Sequence, residues 1–252
     1  MYKILIINSL ILLLATAMCA QNQLPGYWEQ KTGAAQDIAI GAEGSVWVIG
    51  TNVEYGGFGI HKWNGTGWSA VDGGAVRIAV DRNGNPWVIN SLGNIFRREG
   101  SSWIQTPGAA KDIAIGFDGS VWVIGTNVEN GGFGIYKWNG TGWSPTDGGA
   151  VRISVDGDGQ PWVMNNNGDV FRRKNGAWSR MGTAVVNGLV EGIPITYFSK
   201  RAEPGGFLMR SFTMYLQDLP YNIDGAAVAG AKGNNGQFWC INSLGNIFER
   251  KR

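Results

Sequence analysis

Side chains able to do chemistry are few in this chain, and most of them recur. His61 is the one histidine in 252 residues. A multi-histidine metal centre therefore cannot be assembled within it, and any serine triad or Cys–His pair would have to be built on His61 itself. The counterpart of His61 in the next repeat is Tyr136, so His61 reads as a strand surface residue. Paired carboxylates can hydrolyse glycosides. However, Asp37, Asp72 and Asp81 return as Asp112, Asp147 and Asp156 at regular turns and strand starts, where they read as structure. No enzyme is expected. Asp81-Arg-Asn-Gly-Asn and Asp156-Gly-Asp-Gly-Gln open like calcium loops but lack the closing Glu. Asp and Asn supply turn geometry in such places, so no cofactor is expected and calcium is the weak alternative. What remains is a set of amides, carboxylates and one tyrosine between the strand-like runs: Asn52, Glu54, Tyr55, Asp72, Asn90, Asn94, Asn127, Glu129, Asn130 and Asp147. Such groups suit hydrogen bonding to sugar hydroxyls, and an aromatic face stacks on a sugar ring.

Two sequons, Asn64-Gly-Thr and Asn139-Gly-Thr, are glycosylation candidates in a eukaryotic host. Asn-Gly is also a strong hairpin turn, so the same residues have a structural reading.

The elements that must position these groups repeat. Residues 103–177 restate residues 28–102: Ser45-Val-Trp-Val-Ile-Gly-Thr-Asn-Val-Glu returns at Ser120, and Lys62-Trp-Asn-Gly-Thr-Gly-Trp-Ser at Lys137. A fixed period marks a repeat architecture. Trp28, Trp68, Trp103, Trp143 and Trp178 fall 40, 35, 40 and 35 residues apart, so each unit holds a long and a short module. The long module carries an insertion at Thr51–Gly57, Thr126–Gly132 and, in a worn third unit, Lys200–Gly205. Six modules result.

Each module reads as four short strands bounded by Gly, Asn and Asp turns. Repeated groups of four such strands predict an all-β, six-bladed β-propeller. With strands lettered A to D outward from the axis, Tyr27-Trp-Glu-Gln is an orphan D strand and Ile247-Phe-Glu-Arg an orphan C strand. Their pairing is expected to close the ring and remove exposed edges. The insertions, together with Val71-Asp-Gly-Gly and Thr146-Asp-Gly-Gly, are expected as loops on one face, and the sequons on the other. Scaffolded loops are where binding residues gather. Asp37, Arg77, Asp112 and Arg152 open successive A strands, and this alternation predicts ion pairs between adjacent blades. The tryptophans read as wedges between blades. Residues 187–224 keep apolar alternation but lose the Trp-Asn-Gly-Thr-Gly-Trp signal, and read as a distorted pair of blades or a site of its own.

Residues 1–20 read as a secretory signal peptide: Lys3, an apolar run from Ile4 to Leu14, and small residues before a cut after Cys19 or Ala20. The run is short for a membrane span, so no membrane insertion is expected. Residues 21–252 then form a single domain, and the expected location is extracellular. With 21 basic against 19 acidic residues there is no electrostatic footprint for nucleic acid. Cleavage leaves only Cys240, so no internal disulfide can form, and a buried thiol is expected.

The run Gly-Gly-Ala-Val-Arg-Ile-Ala-Val-Asp-Arg-Asn-Gly-Asn-Pro-Trp-Val-Ile-Asn-Ser-Leu-Gly-Asn-Ile-Phe-Arg-Arg (73–98), followed by Trp103, resembles the tectonin repeat. That repeat builds six-bladed propellers in fish-egg lectins, tachylectins and tectonins. The resemblance covers residues 28–178 and 225–252. It implies a secreted lectin that recognises microbial-surface glycans such as lipopolysaccharide, in innate defence. Repetition agrees, because equivalent weak sites on a rigid ring give avidity. The rival reading is a protein-binding scaffold, since fold does not fix function.

Overall fold

The computed structural model describes residues 28–183 and, after them, 195–198, 201–203, 206–208, 211–214, 227–232, 237–242 and 244–251. The expected signal segment lies outside the described residues. Among the described residues there is no helix, and the strands pair in antiparallel sheets.

The sheets follow the modules. Strands β1 (Trp28–Ile40), β2 (Val46–Glu54), β3 (Gly57–Trp63) and β4 (Trp68–Ala75) form one. Strands β5 (Arg77–Val80), β6 (Pro86–Ile89), β7 (Asn94–Glu99) and β8 (Ser102–Ala109) form the next. The third holds β9 (Asp112–Ile115), β10 (Val121–Glu129), β11 (Gly132–Trp138) and β12 (Trp143–Ala150). The fourth holds β13 (Arg152–Val155), β14 (Pro161–Met164), β15 (Asp169–Lys174) and β16 (Ala177–Thr183).

The expected pairing of the first described strand with the last is present. Strand β1 is 13 residues long and serves two sheets. Its second half pairs with β2, as in Ile38↔Val48. Its first half pairs with β23 (Asn246–Arg250), as in Trp28↔Arg250 and Lys31↔Ile247, which completes a sheet with β21 (Ala227–Lys232) and β22 (Phe238–Asn242). Lys31 Nζ stands 3.0 Å from Glu249 Oε2 across the junction.

The worn module differs. Strands β17 (Ile195–Phe198) and β18 (Arg201–Glu203) run antiparallel to β20 (Ser211–Met214) and β19 (Gly206–Leu208). The pairs Ile195↔Met214, Phe198↔Ser211, Arg201↔Leu208 and Glu203↔Gly206 share one register, in two two-stranded sheets. The described residues thus hold four-stranded sheets for every module except this one.

Each sheet buries both faces, which explains continuous apolar runs such as Val46-Trp-Val-Ile. Val46 and Val48 pack with Trp239 and Ile241 of the preceding sheet, whereas Trp47 and Ile49 pack with Ile78 and Val88 of the following one. The tryptophans lie between sheets, as the spacing predicted. Trp63, Trp68 and Trp239 form an edge-to-face cluster with centroids 5.1–5.9 Å apart, and Trp87, Trp138 and Trp143 form another at 4.9–6.4 Å. Such geometry suits the ring quadrupoles. A repeated latch accompanies them. The indole N–H groups of Trp68, Trp103, Trp143 and Trp178 donate to the carbonyls of Thr32, Asp72, Pro107 and Asp147 in the preceding sheet, at 2.8–2.9 Å. The glycine after each carbonyl has positive φ (+91° at Gly33 and Gly73), and a Cβ on Gly73 would stand 3.3 Å from Trp103 Nε1.

The inner strands carry the expected ion pairs. Asp112 Oδ1 lies 3.6 Å from Arg77 Nε and its Oδ2 3.8 Å from Arg152 Nη1, joining three consecutive sheets. Asp112 also accepts from Ile153 N at 3.1 Å, as Asp37 accepts from Ile78 N at 3.0 Å. Burial raises the Asp112 carboxyl above its ordinary range, against the lowering pull of Arg152 and Arg77. Burial likewise lowers Arg77, and takes Arg152 down to about 10, in both cases against the raising pull of Asp112. Cys240 is buried, and burial pushes its thiol up.

Two loop expectations are corrected. Residues 51–54 extend strand β2, leaving only Tyr55 and Gly56 as the turn to β3. Residues 71–74 lie within β4 and pair with β3, as in Ile60↔Val71 and Gly59↔Gly74. Strand pairing satisfies the backbone in both places, so neither is a free loop.

Candidate functional site

In the first long hairpin, β2 and β3 pair in register through Ile49↔Ile60 and resume at Val53↔Phe58. Gly50, Thr51 and Asn52 thus oppose the single residue Gly59. Such a bulge re-aims a side chain, and here the residue is Asn52. A Cβ on Gly59 would stand 2.3 Å from Asn52 Nδ2, and one on Gly50 2.9 Å from Asn52 Oδ1. The amide therefore lies back across the strand in space that two buried glycines leave open. There Asn52 Oδ1 meets His61 Nε2 at 3.1 Å, and Asn52 Nδ2 donates to Glu54 Oε1 at 3.2 Å. With the amide nitrogen engaged by Glu54, the oxygen faces His61, whose Nε2 must carry the proton.

The second long hairpin repeats this arrangement. Its register breaks between Ile124 and Val128. Tyr136 Oη donates to Asn127 Oδ1 at 2.7 Å, and Asn127 Nδ2 donates to Glu129 Oε1 at 3.0 Å. A Cβ on Gly134 would stand 2.7 Å from the Asn127 amide. His61 and Tyr136, read from sequence as surface residues, are thus members of the site. The signal that pointed away from them was real, because His and Tyr do replace one another; they do so as partners of the same asparagine.

The hairpin turns reach the next sheet. Ser91 N donates to Gly56 O at 2.8 Å, and Asn166 N donates to Gly131 O at 2.9 Å. Tyr55 is 96% exposed at the first turn, and Asn130 is exposed at the second. Val53, Leu92, Val128 and Leu244, on the same set of turns and hairpin ends, are also exposed.

Four other expected site residues have structural work. Asn90 Oδ1 accepts from Leu92 N at 3.0 Å and Asn94 N at 2.9 Å, closing its own turn, and Asn94 starts β7. Asp72 Oδ1 sits 2.6 Å from Arg98 Nη1, and Asp147 is bound by Arg173. Those arginines lie over Trp103 and Trp178 at 5.0 and 5.2 Å. The contact with Arg173 holds the Asp147 carboxyl below its ordinary range. The structure therefore gathers Asn52 with Glu54, and Asn127 with Glu129, and gives Asp72, Asn90 and Asp147 partners of their own.

The sequons sit in the turns joining β3 to β4 and β11 to β12. Asn64 Oδ1 accepts from Thr66 N and Gly67 N at 3.0 and 2.8 Å, and Asn139 does the same for Thr141 and Gly142. The calcium-like segments close turns as well. Asp81 Oδ1 accepts from Asn83 N and Asn85 N at 2.8 and 2.9 Å, and Asp156 Oδ2 is held by Arg172 at 2.6 Å. Among the described residues, no group of three or more His, Cys, Asp or Glu can hold a metal ion.

Comparison with known proteins agrees with the repeat. The Tectonin domain model matches residues 74–193. Tectonin-2 of Physarum polycephalum is 29% identical over 82 residues, 32% of this chain and 22% of that protein. The match thus spans under a quarter of that relative's length. Together these findings support a tectonin-type family. Similar solved structures include YCF48 bound to D1 peptide (TM-score 0.53, 14% identity, 91% of this chain and 97% of that one). A gluconolactonase from Xanthomonas campestris is similar with TM-score 0.57 and 11% identity, over 90% of each chain. A chain of the mitotic checkpoint complex is similar with TM-score 0.58 and 13% identity, over 90% of this chain and 91% of that one. At such identities the likeness concerns the fold alone, which is all-β and β-propeller-like.

Proposed function

We propose, with the tectonin-type family as premise, that this chain is a secreted lectin built as a closed six-bladed propeller. Its ligands are glycans of microbial surfaces, lipopolysaccharide among them. One observation carries the reading: the same exposed Asn–Glu pair, backed by His61 or Tyr136, occurs at the bulges of two long hairpins. An amide and a carboxylate side by side present both donors and acceptors to vicinal hydroxyls. Among the described residues neither glutamate is ion-paired, and a carboxylate can accept from sugar hydroxyls. Two copies on one rigid body favour repetitive glycans by avidity. A glycan array that includes bacterial lipopolysaccharides tests this. Binding by the intact protein, lost in the double variant N52A/N127A, is the expected result.

A second reading has its own support. The exposed Val53, Tyr55, Leu92 and Val128 at hairpin ends are apolar groups that a protein partner can bury. No glycan bound on the array, alongside one protein captured reproducibly by the wild type and lost in V53D/V128D, favours the scaffold.

A further inference from the structure

The repeat has three double units, but the structural requirement for the asparagine site is met in only two. That requirement has three parts. The first is the bulge that displaces Asn52 and Asn127 from the ladder. The second is a pair of side-chain-free positions beneath the amide, Gly50 and Gly59 in one hairpin and Gly125 and Gly134 in the other. The third is the partner at 61 or 136.

The third hairpin matches the others at its tip, where Glu203↔Gly206 corresponds to Glu129↔Gly132 and Glu54↔Gly57. Counting from that tip, Asn127 corresponds to Arg201, and Gly134 to Leu208. Gly125 and Tyr136 correspond in sequence to Ser199 and Arg210. The backbone differs to match. The described pairs Ile195↔Met214 to Phe198↔Ser211 and Arg201↔Leu208 to Glu203↔Gly206 have one register in common, whereas both other hairpins shift between the corresponding flanks. Loss of the asparagine and of both glycines thus falls together with a common register in the described pairs on either side. This is expected if the glycines and the bulge exist for the asparagine.

We infer that the protein is bivalent: it has one glycan site at Asn52, Glu54 and His61 and one at Asn127, Glu129 and Tyr136, and the third unit holds no copy. Gly59 and Gly134 are positioning residues for the two amides. The inference rests on the lectin reading and adds to it the number of sites and the residues that set that number.

Gly59 and Gly134 provide a test that separates positioning from folding. Neither has positive φ, and the nearest atoms a new Cβ would meet are side-chain atoms, the Asn52 amide at Gly59 and the Asn127 amide with the Tyr136 ring at Gly134, so alanine displaces those side chains and leaves the backbone in place. Removing a glycine from a strand also lowers the entropy cost of folding. The probe is the monovalent core oligosaccharide freed of lipid from a rough-type lipopolysaccharide, and native mass spectrometry counts the bound copies. The wild type is expected to bind two copies, G59A and G134A one each, and G59A/G134A none, all with melting temperatures at or above that of the wild type. Three copies on the wild type, or two copies retained by G59A/G134A, overturn the inference. Wild-type protein that binds no copy removes the lectin reading on which it stands.

Discussion

Two kinds of polar cluster recur in this molecule, and they differ chiefly in burial. On the inner strands Asp112 meets Arg77 and Arg152, and Asp112 and Arg152 are 7% and 5% exposed. On the hairpin ends Asn52, Glu54, Asn127 and Glu129 are all exposed. Both clusters repeat with the sequence period, so repetition alone does not separate them. The inner cluster has its charges removed from water, and each charge needs the others. The outer cluster keeps water as an alternative partner, so a ligand can displace that water at little cost to the fold. Structural and binding groups are thus told apart by what would be left unpaired after removal.

That contrast predicts its largest effect at Asp112. D112N leaves the buried guanidinium groups of Arg77 and Arg152 without their shared carboxylate. Breaking a buried ion pair from one side costs about 3–5 kcal/mol, and urea denaturation should show a loss of that order. R77M removes one cation while Asp112 keeps Arg152 and its backbone donors. Its melting temperature should fall by less, with glycan binding unchanged. Loss of binding with unchanged stability in R77M would reverse the assignment of the inner cluster to structure.

Next in size are the tryptophan latches. W143F keeps an aromatic ring beside Trp138 and Trp87 but removes the bond to Pro107 O. A lost hydrogen bond of this kind costs about 1 kcal/mol, with the carbonyl left to find water. Melting temperature should drop modestly, and the same change at Trp103 or Trp178 should cost a similar amount, because each occupies the same place. A latch that proved neutral at one position and costly at another would show that the blades are not mechanically equivalent.

The outer cluster should show the opposite pattern. N127A removes an exposed amide, and surface substitutions of this type shift stability by roughly 0.5 kcal/mol or less. Binding to immobilised lipopolysaccharide, measured by surface plasmon resonance, should nonetheless weaken more than tenfold through lost avidity. A large fall in stability instead would move Asn127 into the structural class.

Most of the architecture was legible from residue types because it follows from period and alternation. The spacing of Trp68, Trp103 and Trp143 located the inter-sheet wedges, and the alternation of Asp37, Arg77, Asp112 and Arg152 located the ion pairs. The orphan strands at 27–30 and 247–250 indicated their own pairing. The site was only half legible. Asn52 and Glu54 stood out by polarity and by their place in the insertion, whereas Gly50, Gly59 and His61 did not, because their contacts with Asn52 depend on a register shift that no residue type announces. Asp72 and Asn90 illustrate the opposite direction. Both look available in sequence, yet Arg98 and the turn at residues 90–94 occupy them, and such partners come from strand pairing rather than from neighbours along the chain.

The smallest effect should appear at Asp147, an expected binding residue that the structure gives to Arg173. Its carboxyl is held below the ordinary range by that arginine. A depressed carboxyl contributes stability that is present above its unfolded value and is lost as pH falls through its folded one. The side chain is 68% exposed, so solvent screens the pair and its worth is only about 0.2–1 kcal/mol. Wild type and D147N should therefore differ slightly in melting temperature near neutral pH, and the difference should vanish as the pH falls below the carboxyl's range and shrink with added salt. If D147N instead left stability unchanged and abolished glycan binding, Asp147 would rejoin Asn127 and Glu129, and exposure would outrank ion pairing as the guide to this surface.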